Sequence, residues 1–105
     1  MKSRRIKRGW MSLKVIEITE DNHNTRTLHL VDAQTGKREF DYFAGQYLTF
    51  RFDNLGPKTI IRSYSMSSSP CQSACLAFTV KAIEGGVISN FLVRDVKVGD
   101  CLTAR

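Results

Sequence analysis

Between Tyr47 and Phe52 the chain alternates without a break, with Leu48, Phe50 and Phe52 on one side and Tyr47, Thr49 and Arg51 on the other. Successive side chains of an extended strand point to opposite faces, so this pattern suits a half-buried β-strand and not a helix. The same period returns over residues 76–82, where Leu76, Phe78, Val80 and Ala82 alternate with Ala77, Thr79 and Lys81. β-Branched and apolar residues predict further strands over 11–19, 25–31, 58–66 and 101–104. Glu20-Asp21-Asn22 ends the first of these, Thr35-Gly36-Lys37 carries a turn after the second, and Asn54-Leu55-Gly56-Pro57 punctuates the middle of the chain. Residues 88–93 have helical character, with Ser89 as cap and Phe91 and Leu92 on the apolar side. The expectation is an all-β fold, a six-stranded antiparallel Greek-key barrel with one short helix after strand five.

A length of 105 residues has room for one domain and one hydrophobic core. The formal net charge of +6 sits unevenly: Lys2, Arg4, Arg5, Lys7 and Arg8 supply +5 with no acidic residue among them, leaving +1 for the remaining 97 positions. The reading is a basic N-terminal tail over 1–9, solvated and poorly ordered, followed by a nearly neutral barrel over 10–105. No apolar run approaches the ~20 residues of a membrane span, and no apolar segment follows the basic start as a signal peptide requires. A cytoplasmic location is expected.

Cys71, Cys75 and Cys101 form an odd set, expected to be free thiols in a reducing compartment. Their spacing is not that of an iron–sulfur cluster, and His23 and His29 have no carboxylate or cysteine pattern around them, so no metal site is expected.

Two segments carry chemistry. Arg62-Ser63-Tyr64-Ser65 puts a fixed cation and an aromatic ring two residues apart, hence on one face of a strand, with Ser65 on the other side. An arginine fork suits phosphate and a tyrosine ring suits a flat π-system, so the pair could hold a nucleotide-like ligand; cross-strand pairing on an exposed strand is the plainer reading. The second segment runs from Gly85-Gly86 through Val87 and Ile88 to Ser89-Asn90-Phe91-Leu92. Glycine permits close approach of the backbone, and the unpaired amides of a first helical turn attract an anion such as pyrophosphate, although glycine that merely bends the chain would look the same.

The order Gly45-Gln46-Tyr47, R-x-Y-S at 62–65, Thr79-Val80-Lys81, G-x-x-S at 86–89 with Asn90-Phe91-Leu92, and Val98-Gly99-Asp100 resembles the flavin-binding domain of the ferredoxin-NADP⁺ reductase superfamily, from about Trp10 to the last residue. Within it the chain is similar to bacterial reductases of hybrid-cluster protein, of phenol-type oxygenases and of flavohaemoglobin, with residues 92–100 leaning toward the first. The resemblance implies FAD as cofactor. It implies that Arg62 pairs with the flavin phosphates, that Tyr64 lies against the isoalloxazine, and that Ser65 hydrogen-bonds near N5, making Tyr64 and Ser65 the catalytic pair with Ser63 beside them. Thr79, Val80 and Lys81 would meet the pyrimidine end mainly through backbone groups. Gly86, Val87, Ile88 and Ser89 would cradle the pyrophosphate, and Tyr47 could stack on the dinucleotide.

The family's barrel is followed by a doubly wound domain that binds NADH or NADPH, and this chain stops at Ala104-Arg105, where that segment should begin. The expectation is therefore the FAD-binding domain of an NAD(P)H-dependent oxidoreductase that passes electrons to an iron–sulfur or haem protein, the 105 residues not being competent alone. The competing reading is a small barrel that binds single-stranded nucleic acid through its basic tail. Against it, Phe50, Phe52 and Phe78 alternate as core residues and do not line a basic groove, so no nucleic-acid partner is expected.

Overall fold

The structure is a computed structural model that describes residues 9–36, 47–66 and 76–105. The strands are β1 (Met11–Asn22), β2 (Thr25–Asp32), β3 (Tyr47–Phe52), β4 (Ile60–Ser65), β5 (Leu76–Lys81) and β6 (Cys101–Ala104). A short helix, α1 (Val87–Asn90), follows β5 and runs on into a π-helical turn over Phe91–Asp95. Residues 1–8 of the basic tail lie outside the described residues, as do Cys71, Cys75, Gly45 and Gln46.

All strand pairs are antiparallel, in the order β4-β3-β6-β1-β2-β5. Inserting β6 between β3 and β1 is the long return of a Greek key. Among the described residues the edge strands β4 and β5 adjoin at one bridge, from Met66 just past β4 to Phe78. The sheet thus curls toward a barrel without closing, and the all-β expectation holds with an open seam.

The alternating positions build the core. Leu48, Phe50 and Phe52 from β3 meet Leu76, Phe78 and Val80 from β5, all buried. The Phe50 and Phe78 rings lie 4.8 Å apart and tilted, as quadrupolar rings prefer to an eclipsed stack. Burying such rings removes them from any base-stacking role, so the described sheet offers no aromatic platform built from Phe50, Phe52 and Phe78.

Two local expectations change. The first strand does not end at Glu20 but continues to Asn22, where a two-residue turn at His23 and Asn24 enters β2. Within β1 the register shifts between Val15 and Glu17. This bulge exposes Ile16 and returns Ile18 to the core, so one strand serves two apolar phases. The second change concerns Ser89, read above as a cap. Helix α1 begins with Gly86 at the cap position, without a side-chain cap, and Ser89 lies inside the first turn. No helix among the described residues is long and apolar enough to cross a membrane.

Candidate functional site

Strand β4 is an edge strand, and its cross-strand register sorts its side chains. Arg62 lies opposite Phe50 and Tyr64 opposite Leu48, on the core-facing side; Ser63 lies opposite Thr49 and Ser65 opposite Tyr47, on the outer side. The alternation expected of R-x-Y-S is therefore present, and Tyr47 shares a face with Ser63 and Ser65 but not with Tyr64. The Ser63 hydroxyl is engaged with that of Thr49 at 3.0 Å. Tyr47 is 68% exposed, which leaves its ring open to contact.

Tyr64 stands at the seam. Its ring centroid is 5.2 Å from that of Phe78 and 6.1 Å from that of Phe50, so one side is packed. Burial raises its phenol above the ordinary value of 10.0, while the Arg62 guanidinium nearby works in the opposite direction. The phenol is neutral at physiological pH. Arg62 itself is exposed and donates to the carbonyl of Ile61 at 2.9 Å. Among the described residues no carboxylate forms an ion pair with it.

Across the seam, β5 is held on one side by β2, through Thr25–Lys81 to Leu30–Leu76. On the other side its recorded partner is Met66, at Phe78. The Val80 side chain is buried and those of Thr79 and Lys81 are exposed. Thr79 shares a hydroxyl contact of 2.8 Å with Thr27 on the adjacent strand. Contact with a ligand by Val80 is thus restricted to its backbone.

The glycine turn is built by its polar side chains. Gly85 has φ of 79°, in the left-handed region that glycine enters without strain. Gly86 has φ of −83° and is not required for that reason. The Ser89 hydroxyl accepts from the Ile83 amide at 3.0 Å and donates to the Gly86 carbonyl at 3.4 Å. Asn90 Nδ2 donates to the carbonyls of Ile83 at 2.8 Å and Gly86 at 2.7 Å. Ser89 and Asn90 together fasten the helix start to the end of β5. The Ser89 hydroxyl is turned into the fold, and Ile88 is buried while Val87 is exposed. The amides of Val87, Ile88 and Ser89 have no acceptor among the described residues, as expected of a first helical turn. Asn90 was not foreseen as a structural tie, though it sits next to the serine of the motif.

These donors suit an anionic ligand with a flat ring: amides without an acceptor and a guanidinium without a carboxylate partner among the described residues, and a neutral aromatic face. A separate cavity of about 260 Å³ lies where β3 and β6 part, lined in part by Arg51, Asp53, Phe91, Cys101 and Thr103. None of the site residues read from the sequence lines it. Cys101 is a free, exposed thiol.

Residues 12–105 match the family described as "Oxidoreductase FAD-binding domain". The ferredoxin reductase component of 3-ketosteroid-9-alpha-monooxygenase from Mycobacterium tuberculosis is 30% identical over 95 residues, covering 85% of this chain and 26% of that protein. NADH oxidoreductase HCR from Escherichia coli is 34% identical over 90 residues, covering 86% of this chain and 26% of that protein. Among solved structures, the flavohem-like FAD/NAD binding domain of nitric oxide dioxygenase from Vibrio cholerae superposes with a TM-score of 0.78 at 26% identity, over 92% of this chain and 43% of that one. The chain spans about a quarter of the length of the curated relatives it matches.

Proposed function

The chain belongs to the oxidoreductase FAD-binding domain family, and from that premise we propose that it is the flavin-holding part of a cytoplasmic NAD(P)H-dependent reductase that hands electrons to an iron–sulfur or haem protein. The observation that carries the site is Arg62, exposed and without a carboxylate partner among the described residues, beside the half-buried Tyr64 at the open seam. FAD supplies the chemistry of accepting a hydride equivalent from a nicotinamide and releasing electrons singly.

The residues of this chain bind and orient. Arg62 neutralises phosphate charge, and its planar fork fixes the approach of the oxygens. Tyr64, held from behind by Phe78 and Phe50, offers its ring to the isoalloxazine. Ser65 hydrogen-bonds near N5, and the edge of β5 at Thr79, Val80 and Lys81 meets the pyrimidine end through backbone groups. The amides at Val87, Ile88 and Ser89 receive the pyrophosphate, with Gly86 allowing close approach and the Ser89 hydroxyl holding the turn in shape. Tyr47, on the outer face, stacks on the dinucleotide.

The nicotinamide is bound outside these 105 residues in this reading. A relative named as a ferredoxin reductase component and a structural neighbour described as flavohem-like support an iron–sulfur or haem acceptor. The test is a visible-absorption titration of the chain with FAD, alongside Arg62→Ala. Saturable flavin binding that weakens in the variant supports the assignment; binding of equal affinity in both proteins removes Arg62 from the site.

A further inference from the structure

We propose that the tip of the β1–β2 hairpin is a positioning element for the glycine turn, acting through Asn24 and its partner Arg94. The inference rests on the reading of that turn as the phosphate-facing part of a flavin site.

One residue of the hairpin holds both flanks of the turn. The backbone carbonyl of Asn24 accepts from the Ala82 amide at 2.7 Å, where β5 ends and the turn begins. The side-chain carbonyl of Asn24 accepts from Arg94 Nη2 at 2.8 Å, near the end of the helical stretch that follows the turn. Arg94 Nη1 donates to the neighbouring carbonyl of His23 at 2.8 Å, so its fork grips the hairpin at two points. Gly85, Gly86 and the open amides of Val87, Ile88 and Ser89 all lie between Ala82 and Arg94 in the chain.

The bracket is itself braced. The Asn24 amide donates to the Asn22 side chain at 2.9 Å, which fixes the bend at the hairpin tip. Two residues further on, Arg26 donates from Nη1 to the carbonyls of Val96 at 2.8 Å and Leu92 at 3.4 Å. Those are carbonyls of the kind a helix end leaves without partners. Its Nε is paired with Glu20 Oε2 at 2.9 Å, which sets the direction of the guanidinium. A hairpin some sixty residues away in sequence thus fixes the end of β5 and the end of the helix against each other. Preorganised donors bind better than donors that must be ordered on binding, so slack in this bracket is read as lost affinity for the phosphates.

Hydrogen exchange of the flavin-free chain tests the bracket directly, comparing wild type with Arg94→Ala, Arg94→Lys and Asn24→Gly. Asn24→Gly keeps the carbonyl that holds Ala82 and removes the side-chain acceptor; Arg94→Ala removes the donor without changing the backbone of the hairpin tip. The expected result is exchange about tenfold or more faster at the hydrogen-bonded amides of the turn, Ile83, Gly86 and Asn90, in Arg94→Ala and Asn24→Gly, partly restored in Arg94→Lys, with β1 and β3 unchanged. Unchanged exchange at Ile83, Gly86 and Asn90, or an equal rise throughout the sheet, overturns the proposal. Titrations with FAD and with riboflavin, which has no phosphate, test the consequence: FAD affinity falls about tenfold in Arg94→Ala and riboflavin affinity does not. Equal losses for the two ligands overturn it. If wild type binds no FAD, the flavin reading fails, and the exchange data still decide whether the hairpin holds the turn.

Discussion

A β-carbon placed on Gly86 would stand 2.7 Å from the Ser89 hydroxyl oxygen and 3.1 Å from the carbonyl oxygen of Ile83. Glycine is required there by the serine three residues on and not by a left-handed backbone, which belongs to Gly85. The G-x-x-S spacing is therefore a packing unit, in which the missing side chain at 86 makes room for a hydroxyl that ties residue 83 to the helix.

Gly86→Ala should destabilise the fold by about 1–3 kcal/mol through overpacking. Ser89→Ala should cost a similar ~1–3 kcal/mol by leaving the Ile83 amide without its acceptor. Because the second change removes the atom the first collides with, the double variant should lose less than the two losses combined. Denaturant midpoints of the four proteins in the cycle measure this coupling, and strict additivity would show that the two positions act separately.

Tyr64 should make stability depend on alkaline pH. Its phenol is raised above 10.0 chiefly by burial, so the folded state retains the proton more tightly than the unfolded chain. That contribution is complete below the unfolded value and is lost as pH rises through the raised folded value. Tyr64→Phe cannot ionise and should show a shallower fall in melting temperature above pH 10 than wild type. Parallel alkaline profiles for the two proteins would mean that the ring ionises as freely folded as unfolded.

Arg62 should distinguish charge from shape in ligand binding. Arg62→Ala is expected to weaken FAD binding by roughly 10- to 100-fold, the equivalent of a charge-assisted hydrogen bond of ~1.5–3 kcal/mol. Arg62→Lys should fall between, since it keeps the charge and loses the planar fork. Little change in thermal stability is expected in either, because the side chain is exposed. A lysine variant as weak as alanine would assign the effect to fork geometry alone.

Asp32 is 2% exposed and accepts from the amides of Gln34 at 2.9 Å and Thr35 at 3.2 Å. It closes the turn after β2 in which Gly36 takes a φ of 73°. Asp32→Ala should therefore cost ~1–3 kcal/mol, read as a lower denaturant midpoint, and Asp32→Asn should recover part of it by keeping one carbonyl oxygen.

Strand type and face were legible in the residues because they depend on local alternation. Leu48, Phe50 and Phe52 could be assigned to the core, and Arg62 and Tyr64 to one face, from the period of two alone. The R-x-Y-S and G-x-x-S spacings carry the family resemblance in the sequence itself, since each is a short-range arrangement. What local pattern could not supply was anything set by a partner distant in the chain. The bulge at Ile16 depends on how β1 pairs with β2. Which side of Tyr64 is covered depends on Phe78 reaching it across the seam. The inward turn of the Ser89 hydroxyl depends on where β5 leaves the sheet. The grip of Arg94 on Asn24 joins residues seventy positions apart, a contact that no periodicity encodes and that only the folded sheet, by bringing the hairpin beside the helix, decides.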